Sequence, residues 1–404
     1  MLRYMLKDNK IDLSAYDPPL SAKDVTFIEE MILGTPERDR KGRGADKEFL
    51  YDIVNNTRSG LDVDKLDYFQ RDARNSVGER SVDLDRFIEL ARVLPAADER
   101  GEIHRMFCYP DKLWTEALNL FRIRMELHQR VYQHKGGKSV ELMLVDAFVL
   151  ADPYFSVEGT VDEAHPDGRW RMSEAIFDGK AYTGLKDSTV DLIMNDPNPK
   201  LAPAKAILRR VQRRQLYPCV GTTEFDWTKA AITEDEARRA MIDVLKRPLA
   251  PKLDGFPPRP PQRGGNNSGE SDTDIEDDDH DMSAARAVNG GGAGTAAATL
   301  GASDVLEEGD IIVEFMHMHW GLKGANPVSR LRFFSKYAPI AADTRGVHLD
   351  EEKFASFLPR QFETKQIRVF VRDPAKVDAA RRALDLFCRE ARCASPSPLL
   401  SQDG

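Results

Sequence analysis

The sequence predicts a mostly α-helical protein that ends in a small α/β lobe, with a disordered insertion between the two. Three observations predict this class. Apolar residues recur at the helical period before the insertion, the insertion has almost no residues that could form a core, and the apolar period becomes that of strands after it. The predicted units are a helical core (1–254), an acidic and Gly-rich insertion (255–305), an α/β lobe (306–392) and a flexible tail (393–404).

Helical periodicity accounts for most of the first unit. Residues 61–77, for example, place Leu66, Phe69 and Ala73 on one face of a helix. The other predicted helices are 83–94, 113–135, 140–152, one that begins at Pro203, and one that begins at a capping box of Thr233 and Glu236. After the insertion, the predicted strands are 310–319, 328–336 and 366–372, and the predicted closing helix is 374–392.

Composition excludes several classes of protein. The chain has 404 residues, 41% of them hydrophobic, and no apolar run approaches the length of about 18 residues that a membrane span needs. Charged residues near Met1 argue against a signal peptide, so we expect a soluble intracellular protein that is not secreted. Four cysteines without CxxC spacing support neither a disulfide framework nor a zinc site.

The acidic balance is concentrated in the insertion. The formal net charge is -9, but residues 270–281 carry eight acids and no Lys or Arg. The rest of the chain is therefore close to neutral, and its cations are gathered into rows. A protein that binds phosphate is compatible with this charge distribution.

One polar stripe runs along the predicted helix 61–77. Asp64, Tyr68 and Asp72 follow at i, i+4 and i+8, opposite the apolar face. Carboxylates ligate hard divalent cations and accept sugar hydroxyl protons, and a tyrosine offers a flat face and one O–H. The stripe therefore indicates either a metal and sugar site or an ordinary solvated helix face.

A second stripe lies on the predicted helix 113–135. Arg124, His128 and Tyr132 are again four residues apart, and Lys135 follows, on a helix with apolar residues nearly all round. Buried cations need anionic partners. These partners are either a bound phosphate, which Arg binds bidentately, or internal carboxylates such as Glu126 or the Asp64 and Asp72 stripe.

Two other sets of residues are less specific. A basic cluster at 205–214 suits either a solvated face or a nucleotide or nucleic-acid surface. Its members are Lys205, Arg209, Arg210, Arg213 and Arg214. His317 and His319 share a face of a strand, but two histidines make a poor metal site, so we interpret them as structural.

Three segments resemble a known family: FLYDIVNNTRSGLDVDKLDYFQRDA (49–73), VDLDRFIELARV (82–93) and RIRMELHQRVYQHK (122–135). They resemble segments that follow the HD motif in the eukaryotic sterile-alpha-motif and HD-domain dNTP triphosphohydrolases. Members of that family cut a dNTP into a deoxynucleoside and triphosphate, with a metal held by His, His-Asp and a later Asp. The resemblance implies a dGTP-type dNTP triphosphohydrolase with Mg, Mn, Fe or Zn as its divalent metal. It also implies allosteric activation by GTP and dNTPs, a homotetramer, and a location in the nucleus, with the cytoplasm as the alternative.

The resemblance also implies residue roles, position by position. Asp64 corresponds to the last metal ligand. The substrate contacts that it implies are Lys65, Tyr68, Asp72, Arg124, His128 and Tyr132. The allosteric nucleotide contacts that it implies are Asp83, Arg86, Lys112, Arg130, His134, Lys135 and Arg214.

The chain also departs from the family pattern. Pro110, Pro218 and Ala325 stand where the family has basic allosteric residues. The first metal histidine and the His-Asp pair have no counterpart, since the His-Asp dipeptide at 280–281 lies in the acidic insertion. We therefore expect the C-terminal portion of such an enzyme, truncated and inactive on its own. The alternatives are a nucleotide-binding regulatory subunit without catalysis, and a module that binds single-stranded nucleic acid.

Overall fold

The computed structural model describes residues 1–77, 84–246, 305–335, 337, 341 and 343–394. The predicted insertion lies outside the described residues apart from Val305, as does the tail beyond residue 394. The disorder of the insertion, the flexibility of the tail and the limits of the four units therefore stay predictions.

Helices make up most of the described chain, and the predicted fold class, mostly α with a small α/β lobe, is confirmed. The first six helices are α1 (Leu2–Asp8), α2 (Ala22–Leu33), α3 (Tyr51–Val54), α4 (Val63–Asp72), α5 (Leu84–Glu89) and α6 (Trp114–Leu127). The other seven are α7 (Lys135–Ala151), α8 (Gly179–Gly184), α9 (Thr189–Asn195), α10 (Ala202–Gln212), α11 (Trp227–Ala230), α12 (Glu234–Lys246) and α13 (Val377–Ala394). Among the described residues, no helix is both long enough and apolar enough to cross a bilayer.

The predicted start of α12 is confirmed in detail. Thr233 Oγ1 accepts a hydrogen bond from the backbone N–H of Glu236, and the Glu236 carboxylate accepts one from the backbone N–H of Thr233. These reciprocal bonds satisfy backbone N–H groups that the first turn of a helix leaves without partners. A sequence pattern of this kind is local, which is why it can be read without tertiary information.

The prediction of a helix over 83–94 is wrong in its second half. Helix α5 ends at Glu89, and the chain enters strand β1 (Arg92–Ala97), which pairs antiparallel with β2 (Ile103–Pro110). Pro95 explains the change, because proline cannot donate the hydrogen bond that a helix interior requires but is tolerated on an edge strand. The strand order β1-β2-β7 puts β1 at an edge, with β7 (Arg332–Phe334) parallel to β2.

A second sheet forms the α/β lobe. Its order is β5-β8-β6, all antiparallel, from β5 (Cys219–Glu224), β8 (Glu363–Val371) and β6 (Ile311–His319). One strand of this sheet therefore precedes the insertion. Helices α12 and α13 pack on the sheet and bury a shared apolar core, which includes Met241, Ile367 and Phe387.

The core beneath the two polar stripes is aromatic. Phe69 of α4, Phe87 of α5 and Phe121 of α6 are each 1% exposed or less and belong to one cluster with Phe333 of β7. Burying side chains of this size stabilises the fold by about 1.5–3 kcal/mol each. This cluster holds α4 and α6 against each other, which sets the distance between the two stripes.

A separate core lies between α7, α9 and α10 and a small hairpin, β3 (Ser156–Glu158) with β4 (Arg169–Arg171).

Candidate functional site

Helix α4 begins at an aspartate cap that also holds a candidate phosphate contact. The Asp62 carboxylate accepts hydrogen bonds from the Lys65 backbone N–H at 3.2 Å and from the Lys65 Nζ at 2.8 Å. Asp62 is 4% exposed, so its charge is compensated chiefly by Lys65. In the ligand-free chain, the ammonium of Lys65 is therefore already paired.

The α4 stripe is graded in its exposure. Asp64 lies in the first turn and is exposed, whereas Tyr68 and Asp72 are half-buried against α6. Burial raises the pKa of the Tyr68 hydroxyl, although the Arg124 guanidinium beside it works in the opposite direction. Asp64 therefore lies on a solvent-exposed part of α4, whereas Tyr68 and Asp72 take part in contacts between helices.

The two stripes meet. Tyr132 Oη donates a hydrogen bond to Asp72 Oδ2 at 2.5 Å, and the Tyr68 and Tyr132 rings lie 6.2 Å apart, edge to face. The His128 ring lies 5.1 Å from the Tyr132 ring. Five of the substrate contacts that the resemblance implies are thus brought to one place, and these five are Tyr68, Asp72, Arg124, His128 and Tyr132.

A change of helix geometry accompanies this meeting. Both α4 and α6 end in a π-helical turn, Ala73–Val77 after α4 and His128–Tyr132 after α6. Such turns widen the helix by one residue and occur often at functional sites. His128 and Tyr132 lie in the π-helical turn after α6, so their side chains do not follow the 3.6-residue period of a straight α-helix.

Arg124 is the cation of this site, and no carboxylate lies within salt-bridge distance of it among the described residues. Glu126, one of the internal partners considered from the sequence, lies 3.8 Å from Arg122 instead. Burial lowers the pKa of the half-buried Arg124 guanidinium, which nevertheless stays charged near neutral pH. Of the second stripe, Tyr132 does have an internal carboxylate partner, Asp72, whereas Arg124 has none among the described residues.

Histidine 128 is neutral near pH 7. Burial, and then the neighbouring Arg124 charge, lower its pKa to about 4. A neutral imidazole can donate one hydrogen bond and accept another, so His128 adds no positive charge. The charge that attracts an anion to this place comes from Arg124.

His319 belongs to the same site, although its pairing with His317 on one strand face predicts only a structural role. Arg124 donates a hydrogen bond to the His319 backbone carbonyl, which ties α6 to the end of β6. His319 Nδ1 accepts a hydrogen bond from the Gly321 N–H at 3.1 Å, and burial lowers the pKa of His319 to about 4. The two residues are 195 positions apart, so no local pattern could have placed them together.

A catalytic metal is not accommodated by Asp64 and its neighbours in the described part of the chain. The groups of His and carboxylate side chains there that could share one ion are Glu37 with Glu48 and His104, and Asp98 with Glu102 and His104. Neither includes Asp64. A hydrolytic metal needs several protein ligands and an activated water, so we derive no chemical step through a metal at Asp64.

The predicted allosteric residues lie on exposed surfaces in more than one place. Arg86 is 3.3 Å from Glu116, and His134 caps α7 by accepting the Gly136 N–H at 3.2 Å. Lys112 precedes α6 and Arg130 follows it, so the two are roughly 27 Å apart along the helix at 1.5 Å per residue. Lys135 begins α7, Arg214 follows α10 with a φ of 57°, and Asp83 lies outside the described residues.

Part of the basic cluster at 205–214 is used inside the molecule. Lys205 donates to the Asp196 carbonyl, and Arg210 donates to the Arg372 carbonyl at 3.2 Å while its guanidinium covers the Tyr217 ring. Exposed cations remain at Arg209, Arg213 and Arg214. The surface available to a polyanion is therefore smaller than the sequence suggests.

No protein-family model matches the chain. The chain is similar to deoxynucleoside triphosphate triphosphohydrolase SAMHD1 of Mus musculus, with 29% identity over 404 residues, or 96% of this chain and 52% of the relative. The same protein of Homo sapiens is 29% identical over 394 residues (95% and 51%), and the SAMHD1 homolog of Dictyostelium discoideum is 25% identical over 403 residues (98% and 58%). The chain spans about half the length of the curated relatives it matches. The resemblance to dNTP triphosphohydrolases is thus confirmed.

Proposed function

We propose that this chain is the nucleotide-binding portion of a metal-dependent dNTP triphosphohydrolase that acts on dGTP-type substrates. The observation that carries the proposal is Arg124, a half-buried guanidinium with no carboxylate partner among the described residues, facing Tyr68 and His128. A triphosphate supplies the anion that such a cation requires, and Arg binds phosphate oxygens in a bidentate manner.

The other side chains are suited to the sugar. In this proposal, Asp72, which the Tyr132 hydroxyl orients, accepts a hydrogen bond from a hydroxyl of the deoxyribose, and the ring face of Tyr68 packs against the same sugar. His128, neutral near pH 7, donates or accepts one further hydrogen bond. Lys65 reaches phosphate only when it leaves Asp62, so we expect a smaller contribution from Lys65 than from Arg124.

In this proposal, the 404-residue chain by itself binds nucleotide but does not hydrolyse it. Among the described residues, Asp64 is the one candidate ligand that the resemblance implies for the catalytic metal, and a single carboxylate does not hold and activate a hydrolytic ion. GTP and dNTPs act as allosteric ligands at the exposed basic residues, including Lys112, Arg130 and Lys135, in a homotetramer located in the nucleus.

The test is incubation of the purified chain with dGTP, GTP and either Mn²⁺ or Mg²⁺, with Asp64→Ala as the matched control. We expect no release of triphosphate above the control and a measurable heat when dGTP is titrated in. Triphosphate release above the control contradicts the lack of hydrolysis. The absence of heat at millimolar dGTP contradicts the nucleotide site itself.

A second candidate function, binding of single-stranded nucleic acid, rests on the exposed Arg209, Arg213 and Arg214. Binding through phosphate contacts weakens steeply with salt. Retention of single-stranded RNA that falls as salt rises, and that is lost in an Arg209→Gln, Arg213→Gln double variant, would favour this function. Retention that does not change with salt would exclude it.

A further inference from the structure

One histidine outside the nucleotide site is enclosed by carboxylates. His104 lies on β2, just after the turn that joins β1 to β2, and its side chain is 11% exposed. Its two ring nitrogens face different partners. Nδ1 faces Glu48 and Glu37, which precede α3, and Nε2 faces Asp98 and Glu102, which belong to the turn.

The Nδ1 side has the geometry of a hydrogen bond. Glu48 Oε2 is 3.1 Å from Nδ1, and Glu48 is fixed by Arg58 Nη2 at 2.7 Å and by the Arg105 backbone N–H at 3.1 Å. Glu48 is 6% exposed, and these hydrogen bonds hold its carboxylate in place beside the imidazole. A proton on Nδ1 donated to Glu48 leaves the lone pair on Nε2. A carboxylate that accepts from the other ring nitrogen is the usual support of a metal-binding histidine, since it fixes the tautomer and the ring orientation.

The Nε2 side has the geometry of a coordination edge. Asp98 Oδ2 and Glu102 Oε2 lie 3.7 and 3.8 Å from Nε2, beyond hydrogen-bond distance. Two ligands of a tetrahedral zinc ion, each about 2.0–2.2 Å from the metal, are roughly 3.3–3.6 Å apart. The other oxygen of Asp98 accepts the backbone N–H groups of Arg100 and Glu102, which turns Oδ2 towards the imidazole.

The charges at this place also favour a cation. Five carboxylates surround Arg58 and His104, namely Glu37, Glu48, Asp52, Asp98 and Glu102. Arg58 compensates Glu37, Glu48 and Asp52, at 3.4, 2.7 and 3.3 Å. It already occupies the space between Glu37 and Glu48, so that pair is not open to an ion. Among the described residues, Asp98 and Glu102 form no salt bridge with Lys or Arg, although Arg100 and Arg332 act on Asp98 at longer range.

We propose that Asp98, Glu102 and His104 Nε2 bind a zinc-type divalent cation, with water completing the coordination. A nitrogen ligand beside two carboxylates suits Zn²⁺, whereas Mg²⁺ prefers oxygen ligands and retains its water. The ion joins the β1–β2 turn to the start of β2, where Glu48 holds the His104 ring from its other side. It is separate from Asp64 and needs no nucleotide, so its role is structural.

The test is a calorimetric titration of the tag-free 404-residue chain with ZnCl₂ and, separately, MgCl₂. The principal variant is Glu102→Gln, since the Glu102 side chain is 68% exposed and we expect the change to leave the fold intact. The second variant is His104→Asn. The matched control is His165→Asn, because His165 also lies between two acids, Asp162 and Glu174, but on opposite ring nitrogens, where they cannot share one ion with it.

We expect the wild type and the control to bind one zinc ion with equal affinity, and both test variants to bind it at least about tenfold more weakly. Zinc, and not magnesium, raises the thermal midpoint of the wild type and of the control, because an ion that binds only the folded chain stabilises it. Unchanged zinc affinity in Glu102→Gln overturns the proposal. Zinc binding that is instead abolished by His317→Asn also overturns it, as does the absence of zinc binding to the wild type.

Discussion

Removal of a single hydroxyl, in Tyr132→Phe, tests whether the two stripes form one site. The change deletes the hydrogen bond from Tyr132 Oη to Asp72 Oδ2, which measures 2.5 Å. A hydrogen bond to a charged group contributes about 1.5–3 kcal/mol. The Asp72 side chain is 30% exposed and water can partly replace the hydroxyl, so we expect a loss of about 1–2 kcal/mol in the free energy of unfolding.

The assay combines urea unfolding with calorimetric titration of two ligands. Tyr132→Phe should weaken binding of dGTP several-fold, since Asp72 is no longer oriented, but should leave binding of inorganic triphosphate unchanged because Arg124 remains. The matched control is Tyr217→Phe, which removes a bond of the same kind to Asp146 at 2.9 Å, away from the site. It should lower stability and leave both affinities unchanged. Equal dGTP affinity in wild type and Tyr132→Phe would refute the reasoning.

Two other predictions concern pH and the turn after β6. The pKa of His128 is lowered to about 4, against about 6.5 in an unfolded chain, so the unfolded state takes up the proton first and stability falls as the pH drops from about 6.5 to 4. Urea unfolding near pH 7 and pH 4.5 measures this loss of stability, which should be about 1–2 kcal/mol smaller in His128→Gln than in the wild type. An equal loss in the two proteins would refute the prediction. Gly321 has a φ of 140°, and an added Cβ would lie 3.0 Å from the Phe121 ring. Gly321→Ala should therefore lower the free energy of unfolding by about 1–3 kcal/mol. It should also weaken dGTP binding, because Gly321 follows the His319 carbonyl to which Arg124 donates. Gly309→Ala, where a Cβ meets nothing within 4 Å, should do neither, and equal effects of the two changes would contradict the prediction.

The local features of the fold could be predicted from the sequence. The 3.6-residue period gave the existence of α4 and α6, and the Thr233 and Glu236 box marked the start of α12, because each depends on neighbours along one helix. The same reasoning chose Tyr68, Asp72, Arg124, His128 and Tyr132, and the structure brings these five together.

The features that the sequence did not predict depend on distant partners. The first residues of strand β1 fall within the helix predicted over 83–94, because the pairing of β1 with β2 is not visible in its own six residues. His319 reaches Arg124 only through the folding of the α/β lobe against α6. His104 is an isolated histidine in the sequence, and the acids around it come from two separate segments.

The central claim is that Arg124 binds the triphosphate of a nucleotide. The most direct measurement is a calorimetric titration of dGTP into the wild-type chain, Arg124→Gln and the matched control Arg122→Gln. Arg122 lies on the same helix but is exposed and 3.8 Å from Glu126. We expect Arg124→Gln to weaken dGTP binding at least about tenfold, or about 1.4 kcal/mol, and Arg122→Gln to bind dGTP as the wild type does. Equal affinities in all three proteins, or no binding by the wild type, would contradict it.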